Sequence, residues 1–304
     1  MNKLAIYKNI TYRILPKKIY FKLLYSLIYH RKINFKNPTR FSEKMYCLKI
    51  INKKKYCDLI AKCYDKYDVR EYIAEKMDSE LILNEVYDVY ENAKDINFDK
   101  LPDRFVLKIT QSCGFNIICP DKSKLDIQDT VKKLNKWLKK VNKTKNHAEN
   151  SYYFTGKAKI VCEKFLVDET GKIPNDIRVY CFNGIPKLFV CDIGTTCEDG
   201  RHGSNIVRNV YDNEWNLLGV DLGRPRSCDI EVAKPENLSE ICEVSKKLSA
   251  DFEFVRVDLY NCNNKIYFGE LTWIPMDGNC IISPNEYDDI LGSWLSIPDM
   301  EDYI

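Results

Sequence analysis

Two acidic residues, Asp258 and Glu270, stand on either side of the stretch Asn261-Cys262-Asn263-Asn264, a placement suited to holding a cation. The runs 254–260 and 265–274 alternate apolar and polar residues around an Asn-rich turn, the pattern of a β-hairpin. Val255, Val257 and Leu259 share one parity and face a core, which sends Arg256, Asp258 and Tyr260 to the other face. With the turn centred on residues 262–264, Asp258 and Glu270 reach the same face from opposing strands. Carboxylates facing each other across a hairpin repel, so a cation or an arginine must accompany them. Mg²⁺ is one such partner, because it takes one or two carboxylates and completes its shell with phosphate and water. Arg256 ion-pairing with one of the acids on a solvated face is the other.

A second group begins with the apolar run Phe105-Val106-Leu107-Lys108 and continues through Gln111-Ser112-Cys113-Gly114. A lysine at a strand end beside a turn of small residues suits a nucleotide phosphate: the ammonium is a compact point charge, and the turn presents backbone N–H donors. The segment matches neither a Walker loop nor a dinucleotide fingerprint. Taken alone, it reads more simply as a lysine beside a surface turn. In a third group, Ile160-Val161-Cys162-Glu163-Lys164-Phe165-Leu166-Val167, an acid sits inside an apolar strand, where a charge is costly without a partner. An adenine amino group, bound together with the backbone around Phe165 and Leu166, would satisfy Glu163. An internal ion pair would do so as well.

The elements that must position these groups change character along the chain. From about residue 17 to 95, apolar residues recur at three- and four-residue spacing, as in Tyr56, Leu59, Ile60, Cys63, Tyr64 and Tyr67, and predict helices. In Asn37-Pro38-Thr39-Arg40-Phe41-Ser42-Glu43-Lys44, a hydroxyl residue followed by an acid after a proline-containing loop predicts a helix start. The turn residues Leu101-Pro102-Asp103-Arg104 open a strand-rich region. Strands are expected over 105–110, 160–167, 177–182, 186–193, 254–260 and 265–274, with helices near 124–142 and 236–249. No βαβ rhythm repeats, so the fold class is α+β with mixed or antiparallel sheets. The expected segments are an α-rich region over 1–100, a first lobe over 101–170 and a second lobe over 171–304.

A chain of 304 residues, 45% hydrophobic and 12% aromatic, buries a large core and exceeds what one core usually organises. Its 13 cysteines are odd in number and spread over the length, with no CxxC pair and no signal peptide read. Reduced thiols in the cytoplasm are therefore expected, and neither a disulfide scaffold nor a zinc site. The net charge is +3, and the basic excess is local: Lys17, Lys18, Lys22, Arg31, Lys32, Lys36 and Arg40 crowd the N-terminus. With no nucleic-acid motif, no nucleic-acid partner is expected. Residues 19–29 are too short, and too interrupted by Lys22, to span a bilayer. They read as an amphipathic helix packed on the protein or, at most, resting on a membrane surface.

Taken together and in order, these segments resemble the ATP-grasp superfamily, specifically its TupA-like branch associated with teichuronopeptide and other surface-polysaccharide biosynthesis. The likeness runs from Asn37-Pro38-Thr39-Arg40-Phe41-Ser42-Glu43-Lys44 through Asp65-Lys66-Tyr67-Asp68-Val69-Arg70-Glu71-Tyr72 and Leu101-Pro102-Asp103-Arg104-Phe105-Val106-Leu107-Lys108. It continues with Asn175-Asp176-Ile177-Arg178-Val179-Tyr180-Cys181-Phe182-Asn183-Gly184, and closes with Val255-Arg256-Val257-Asp258-Leu259-Tyr260 and Tyr267-Phe268-Gly269-Glu270-Leu271-Thr272. The resemblance implies two α+β lobes gripping ATP, preceded by the α-rich region. It further implies that Lys108 and the loop with Ser112 and Gly114 contact phosphate. Glu163 and the backbone of Lys164, Phe165 and Leu166 would hold adenine and ribose, Asp176 would lie in the nucleotide site, and Asp258 and Glu270 would bind Mg²⁺. Arg178 and Arg256 would neutralise phosphate or acyl-phosphate oxygens. The chain departs from the family pattern at Gln111-Ser112-Cys113-Gly114, where a His and small residues are usual, and at Arg178, where a lysine is more common.

The activity so implied is ATP-dependent joining of an amine to a carboxylate through an acyl phosphate, the carboxylate being a uronic acid of a surface-polysaccharide precursor. Two other readings stand beside it. One is a glycosyltransferase of the same pathway, which would need acidic metal ligands but would bind a sugar nucleotide. The other is a non-catalytic ATP-grasp relative acting as a binding protein. The expected location is the cytoplasm, with the basic N-terminal helix at the inner face of the membrane. Substrate-selecting residues are expected in loops 143–156 and 194–230; His30, His147 and His202 are assigned no role.

Overall fold

A computed structural model of the chain describes residues 11–144, 151–168, 171, 173–174, 176–194 and 206–303. Helices α1 (Lys17–Tyr29), α2 (Phe41–Lys55), α3 (Cys57–Tyr64), α4 (Val69–Lys76), α5 (Ile127–Thr144), α6 (Leu238–Ser249) and α7 (Glu286–Trp294) carry the helical part. The strands are β1 (Val86–Tyr90), β2 (Phe105–Ile109), β3 (Asn116–Cys119), β4 (Ile160–Lys164), β5 (Asp176–Phe182) and β6 (Ile185–Ile193), then β7 (Val207–Tyr211), β8 (Asp221–Leu222), β9 (Phe254–Cys262), β10 (Lys265–Thr272) and β11 (Ile282–Ser283). The chain forms two compact units, one of residues 57–173 and the other of 1–56 together with 174–304. The helices expected as one segment over 1–100 are thus shared between the two. Parts of the loops 143–156 and 194–230, with His147 and His202, lie outside the described residues.

In the unit of residues 57–173, an antiparallel sheet has the order β1-β4-β2-β3. Strand periodicity divides its side chains between two faces. Phe105, Leu107 and Ile109 of β2, with Ile160 and Cys162 of β4, enter a core shared with Leu134, Leu138 and Val141 of α5. Those α5 residues recur every three or four positions, with lysines between them turned to solvent. Val106, Lys108, Val161 and Glu163 are left to the sheet's other face. The helical expectation to residue 95 fails at Met77, which ends α4. Beyond it, Val86-Tyr87-Asp88-Val89-Tyr90 forms β1, an antiparallel neighbour of β4; its β-branched and aromatic residues pack better on a pleated surface than in a helix.

The other unit is built on a five-stranded antiparallel sheet, β10-β9-β5-β6-β7. Leu238, Ile241, Val244 and Leu248 of α6 are buried against one face. Val255, Val257 and Leu259 belong to that face, as do their β5 partners Cys181, Val179 and Ile177. The second face receives the alternate residues Asp176, Arg178, Asp192, Arg208, Arg256 and Asp258. In the same unit α2 pairs with α7. The buried Asp288 carboxylate accepts hydrogen bonds from Ser42 N (2.7 Å) and Ser42 Oγ (2.6 Å). The start of α2 is capped by Glu43 reaching back to the backbone N–H groups of Thr39 (3.1 Å) and Arg40 (3.3 Å). The acid of the start motif therefore caps the helix, without a hydroxyl cap from Thr39 or Ser42.

Candidate functional site

The β9–β10 hairpin turns through Asn263 and Asn264, both with positive φ, 54° and 59°. Asn tolerates this conformation, and two positive φ values in a row give the tight turn that matches strand twist. From the turn to Phe268, residues pair so that Phe268 faces Leu259; beyond it the register shifts by one, and Glu270 faces Asp258. Gly269 is the extra residue of this bulge. A Cβ on Gly269 would stand 2.9 Å from the Asp258 carbonyl oxygen, so the close approach requires glycine. Without the shift, Glu270 would fall opposite Val257 and point toward the apolar face. The bulge is what brings both carboxylates to one side.

Around these acids the sheet face is a charge network. Arg256 grips Asp258 with two parallel bonds, Nε to Oδ1 and Nη2 to Oδ2, each 2.6 Å, and its Nη2 also reaches Glu270 Oε1 at 3.2 Å. Arg178, opposite Asp258 on β5, donates to Asp176 Oδ2 (2.8 Å) and to Asp192, and its Nε lies 3.7 Å from Asp258 Oδ2. Asp192 is fully buried and is also held by Arg208, at 2.5 and 2.8 Å, and by Arg224 at 3.1 Å. Burial alone would raise the Asp192 pKa; the Arg208 hydrogen bonds and the charges of Arg178, Arg208 and Arg224 overcome it and hold the carboxyl below its ordinary range. Asp258 moves the other way. Burial and the neighbouring Glu270 push it up to about 7 despite Arg256.

That contrast tests whether a divalent cation fits. Three arginines hold Asp192 directly, whereas the facing pair Asp258 and Glu270 is held directly by Arg256 alone, with Arg178 3.7 Å from Asp258. Their hard oxygen donors suit Mg²⁺. Among the described residues no group of three or more His, Cys, Asp or Glu side chains is arranged to hold a metal. A cation here would therefore draw its remaining ligands from water and phosphate, as Mg²⁺ does. Sequence reasoning missed Asp192, Arg208 and Arg224. A signal existed in the charged residues that interrupt Leu188-Phe189-Val190-Cys191-Asp192 and Val207-Arg208-Asn209-Val210.

In the unit of residues 57–173, Lys108 and Glu163 lie on one face and form an ion pair, Nζ to Oε2 at 2.6 Å. The Lys164 backbone is occupied: its N–H donates to Glu85 O (2.9 Å) and its carbonyl accepts from Asn84 Nδ2 (2.8 Å). Phe165 and Leu166 follow the end of β4 and belong to no strand, and the Phe165 ring lies under Arg104, 4.7 Å from the guanidinium carbon. In the β2–β3 turn, Gly114 has φ +74° with open space around it, a conformation that suits glycine. The Ser112 hydroxyl donates to Ile109 O at 2.9 Å, leaving backbone N–H groups as the turn's natural donors. Gln111 donates to Asp65 Oδ2 (3.1 Å) and Thr155 O (2.6 Å), and Lys66 Nζ bonds Ser112 O. Asp65 and Lys66 therefore brace the turn.

A family model described as TupA-like ATPgrasp matches residues 43–296. The chain belongs to this family, and its α+β architecture is the ATP-grasp fold. No curated protein matches it. Among solved structures it is similar to D-alanine–D-alanine ligase from Bacillus anthracis complexed with ATP, at 14% identity over 70% of this chain and 56% of that one, with a TM-score of 0.42. It is also similar to phosphoribosylamine–glycine ligase from Thermotoga maritima, at 12% identity over 72% and 50% of the two chains, TM-score 0.42. A third is the ATP-grasp ligase PsnB complexed with a phosphomimetic variant of a minimal precursor, Mg and ADP, at 9% identity over 72% and 52%, TM-score 0.38. The chain spans about half the length of these proteins.

Proposed function

We propose that the chain is an ATP-dependent carboxylate–amine ligase, which activates a substrate carboxylate as an acyl phosphate and joins it to an amine. The observation that carries this reading is the bulged hairpin, which sets Asp258 and Glu270 opposite one another with Arg256 and Arg178 beside them. The carboxylate oxygen of the substrate attacks the γ-phosphorus of ATP, ADP leaves, and the amine nitrogen then displaces phosphate to form the amide. Bound Mg²⁺ would offset the charge of the transferring phosphoryl group. Asp258 and Glu270 would hold that cation; Arg178 and Arg256 supply fixed positive charge to the phosphoryl oxygens, the main catalytic contribution in such a transfer. Lys108 contacts phosphate, with Glu163 orienting its ammonium, and the turn ending at Gly114 contributes backbone N–H donors. Adenine and ribose are held at the end of β4, where Phe165 and Leu166 leave the sheet; Asp176 keeps Arg178 in place.

We further propose a uronic acid of a surface-polysaccharide precursor as the carboxylate and an amino acid or small amine as its partner, handled on the cytoplasmic side of the membrane. The family's TupA-like designation supports this. The test measures ADP release by the purified protein with Mg²⁺, ATP and a panel of uronates and amines. Substrate-dependent release that falls at least ~100-fold in Glu270→Ala is expected, the scale of losing a charge-stabilising group. ATP binding without release across the panel would make the protein a nucleotide-binding component. A melting shift with sugar nucleotides and none with ATP would favour a glycosyltransferase.

A further inference from the structure

The N-terminal helices carry a surface that the ligase reading does not use. On α1, Tyr20, Phe21, Leu24 and Tyr25 are buried, as the apolar side of an amphipathic helix should be. A second apolar row faces out: Ile19, Leu23 and Leu27 are 47%, 58% and 70% exposed, and Ile14, just before the helix, is 74% exposed. At about 100° per residue, Ile19, Leu23 and Leu27 fall in one row, and the exposed Lys18 and Lys22 fall in the row beside it. Large apolar side chains scattered singly on a surface need no explanation, but a contiguous row does.

Beyond the lysine row, α1 and α2 enclose a cavity of about 540 Å³. Its charged lining residues are all lysines: Lys17, Lys18, Lys49, Lys53 and Lys54. Phe21 and Ile50 give it an apolar wall. Lys49 is paired with Asp277 (2.9 Å), and Lys17 and Lys53 donate to the Tyr12 carbonyl and hydroxyl, so the lysines set positive charge around a wall that is mainly apolar.

We propose that this face docks on an anionic phospholipid bilayer, with the row Ile19, Leu23 and Leu27 entering the interface and the lysine-lined cavity seating a lipid phosphate. An apolar row bordered by lysines matches both layers of such a surface, acyl chains below and phosphates above. Exposed apolar side chains distinguish this partner from a soluble phosphate ester, which would need the lysines alone. No helix among the described residues is long and apolar enough to cross a membrane, so the contact is peripheral.

The full chain is to be sedimented with vesicles of phosphatidylglycerol or of phosphatidylcholine, at low and raised salt. Binding to phosphatidylglycerol that weakens with salt, and little binding to phosphatidylcholine, is expected. The double variant Leu23→Glu/Leu27→Glu should reduce the bound fraction about fivefold or more while keeping the wild-type melting temperature and ATP-induced stabilisation. Lys17→Glu/Lys54→Glu should bind phosphatidylglycerol less at low salt. As an independent readout, the Leu27→Trp variant should show a blue shift of its added fluorescence on phosphatidylglycerol vesicles. Absence of vesicle binding, equal binding to both lipids, or complete displacement by glycerol phosphate with Leu23→Glu/Leu27→Glu binding as wild type would each overturn the proposal.

Discussion

Asp192 is the residue on which the arginines of the sheet face converge. Removing one member of a buried ion network leaves the others uncompensated, at a typical cost of about 3–5 kcal/mol. Asp192→Asn should lose stability on that scale in urea unfolding, with Arg208→Met close behind. The same residue sets a pH dependence. Its folded carboxyl lies below its ordinary range, so its contribution is fully present above the unfolded value of about 3.9 and is lost as pH falls through the lower folded value. Urea titrations of the wild type below pH 4 should show a steeper loss than those of Asp192→Asn. Lys108 is a different case. Its ion pair with Glu163 is largely buried, so Lys108→Ala leaves the Glu163 carboxylate without its cation and should lower the melting temperature, while Lys108→Met with Glu163→Gln should restore stability and still weaken ATP binding at least about tenfold, judged from the strength of charge-assisted phosphate contacts. A wild-type ATP affinity in that double variant would remove Lys108 from the site. Asp258, Glu270 and Lys108 could be picked out of the sequence because each interrupts an apolar or alternating run. Asp192 and Arg208 carry the same signal, but their pairing depends on the β6–β7 register, and Arg224 lies in a loop with no local pattern to mark it.

At the scale of elements, the hairpin was readable in its strands and its Asn-rich turn, but not in the bulge that aligns the acids. Simple pairing about Asn263 and Asn264 would set Gly269 across from Asp258; only backbone packing reveals the extra residue. Gly269→Ala must push against the Asp258 carbonyl, which overpacking estimates place at about 1–3 kcal/mol. The expected result is a lower melting temperature together with a larger loss of Mg²⁺-dependent ATP stabilisation than the fall in stability alone explains. If nucleotide stabilisation is unchanged, the bulge does not position the acids. Helices α5 and α6 were readable because their apolar residues hold a helical period over three or more turns. Strand β1 was not, since five residues of mixed burial carry too little periodicity against a helical background, and its pairing with β4 joins residues far apart in sequence.

At the scale of the molecule, one compact unit interrupts the other in sequence, with its joins at 56/57 and 173/174. No Pro- or Gly-rich stretch marks the first of these joins, and only Gly171 and Pro174 stand at the second. The unit of residues 57–173 owns a closed core between its sheet and α5. Expressed alone, it should give a dispersed amide spectrum and a cooperative thermal transition; a molten or aggregated product would show that it depends on the rest of the chain. The surrounding unit has no such independence in time. Ser42 and Asp288, joined by two short hydrogen bonds, are 246 positions apart. As the polypeptide emerges from a ribosome, α2 precedes its partner α7 by the inserted unit and all five strands of the large sheet. Until those strands exist, Phe41 of α2 lacks its ring partners Phe182 and Phe254, and it is there that a chaperone would have to wait.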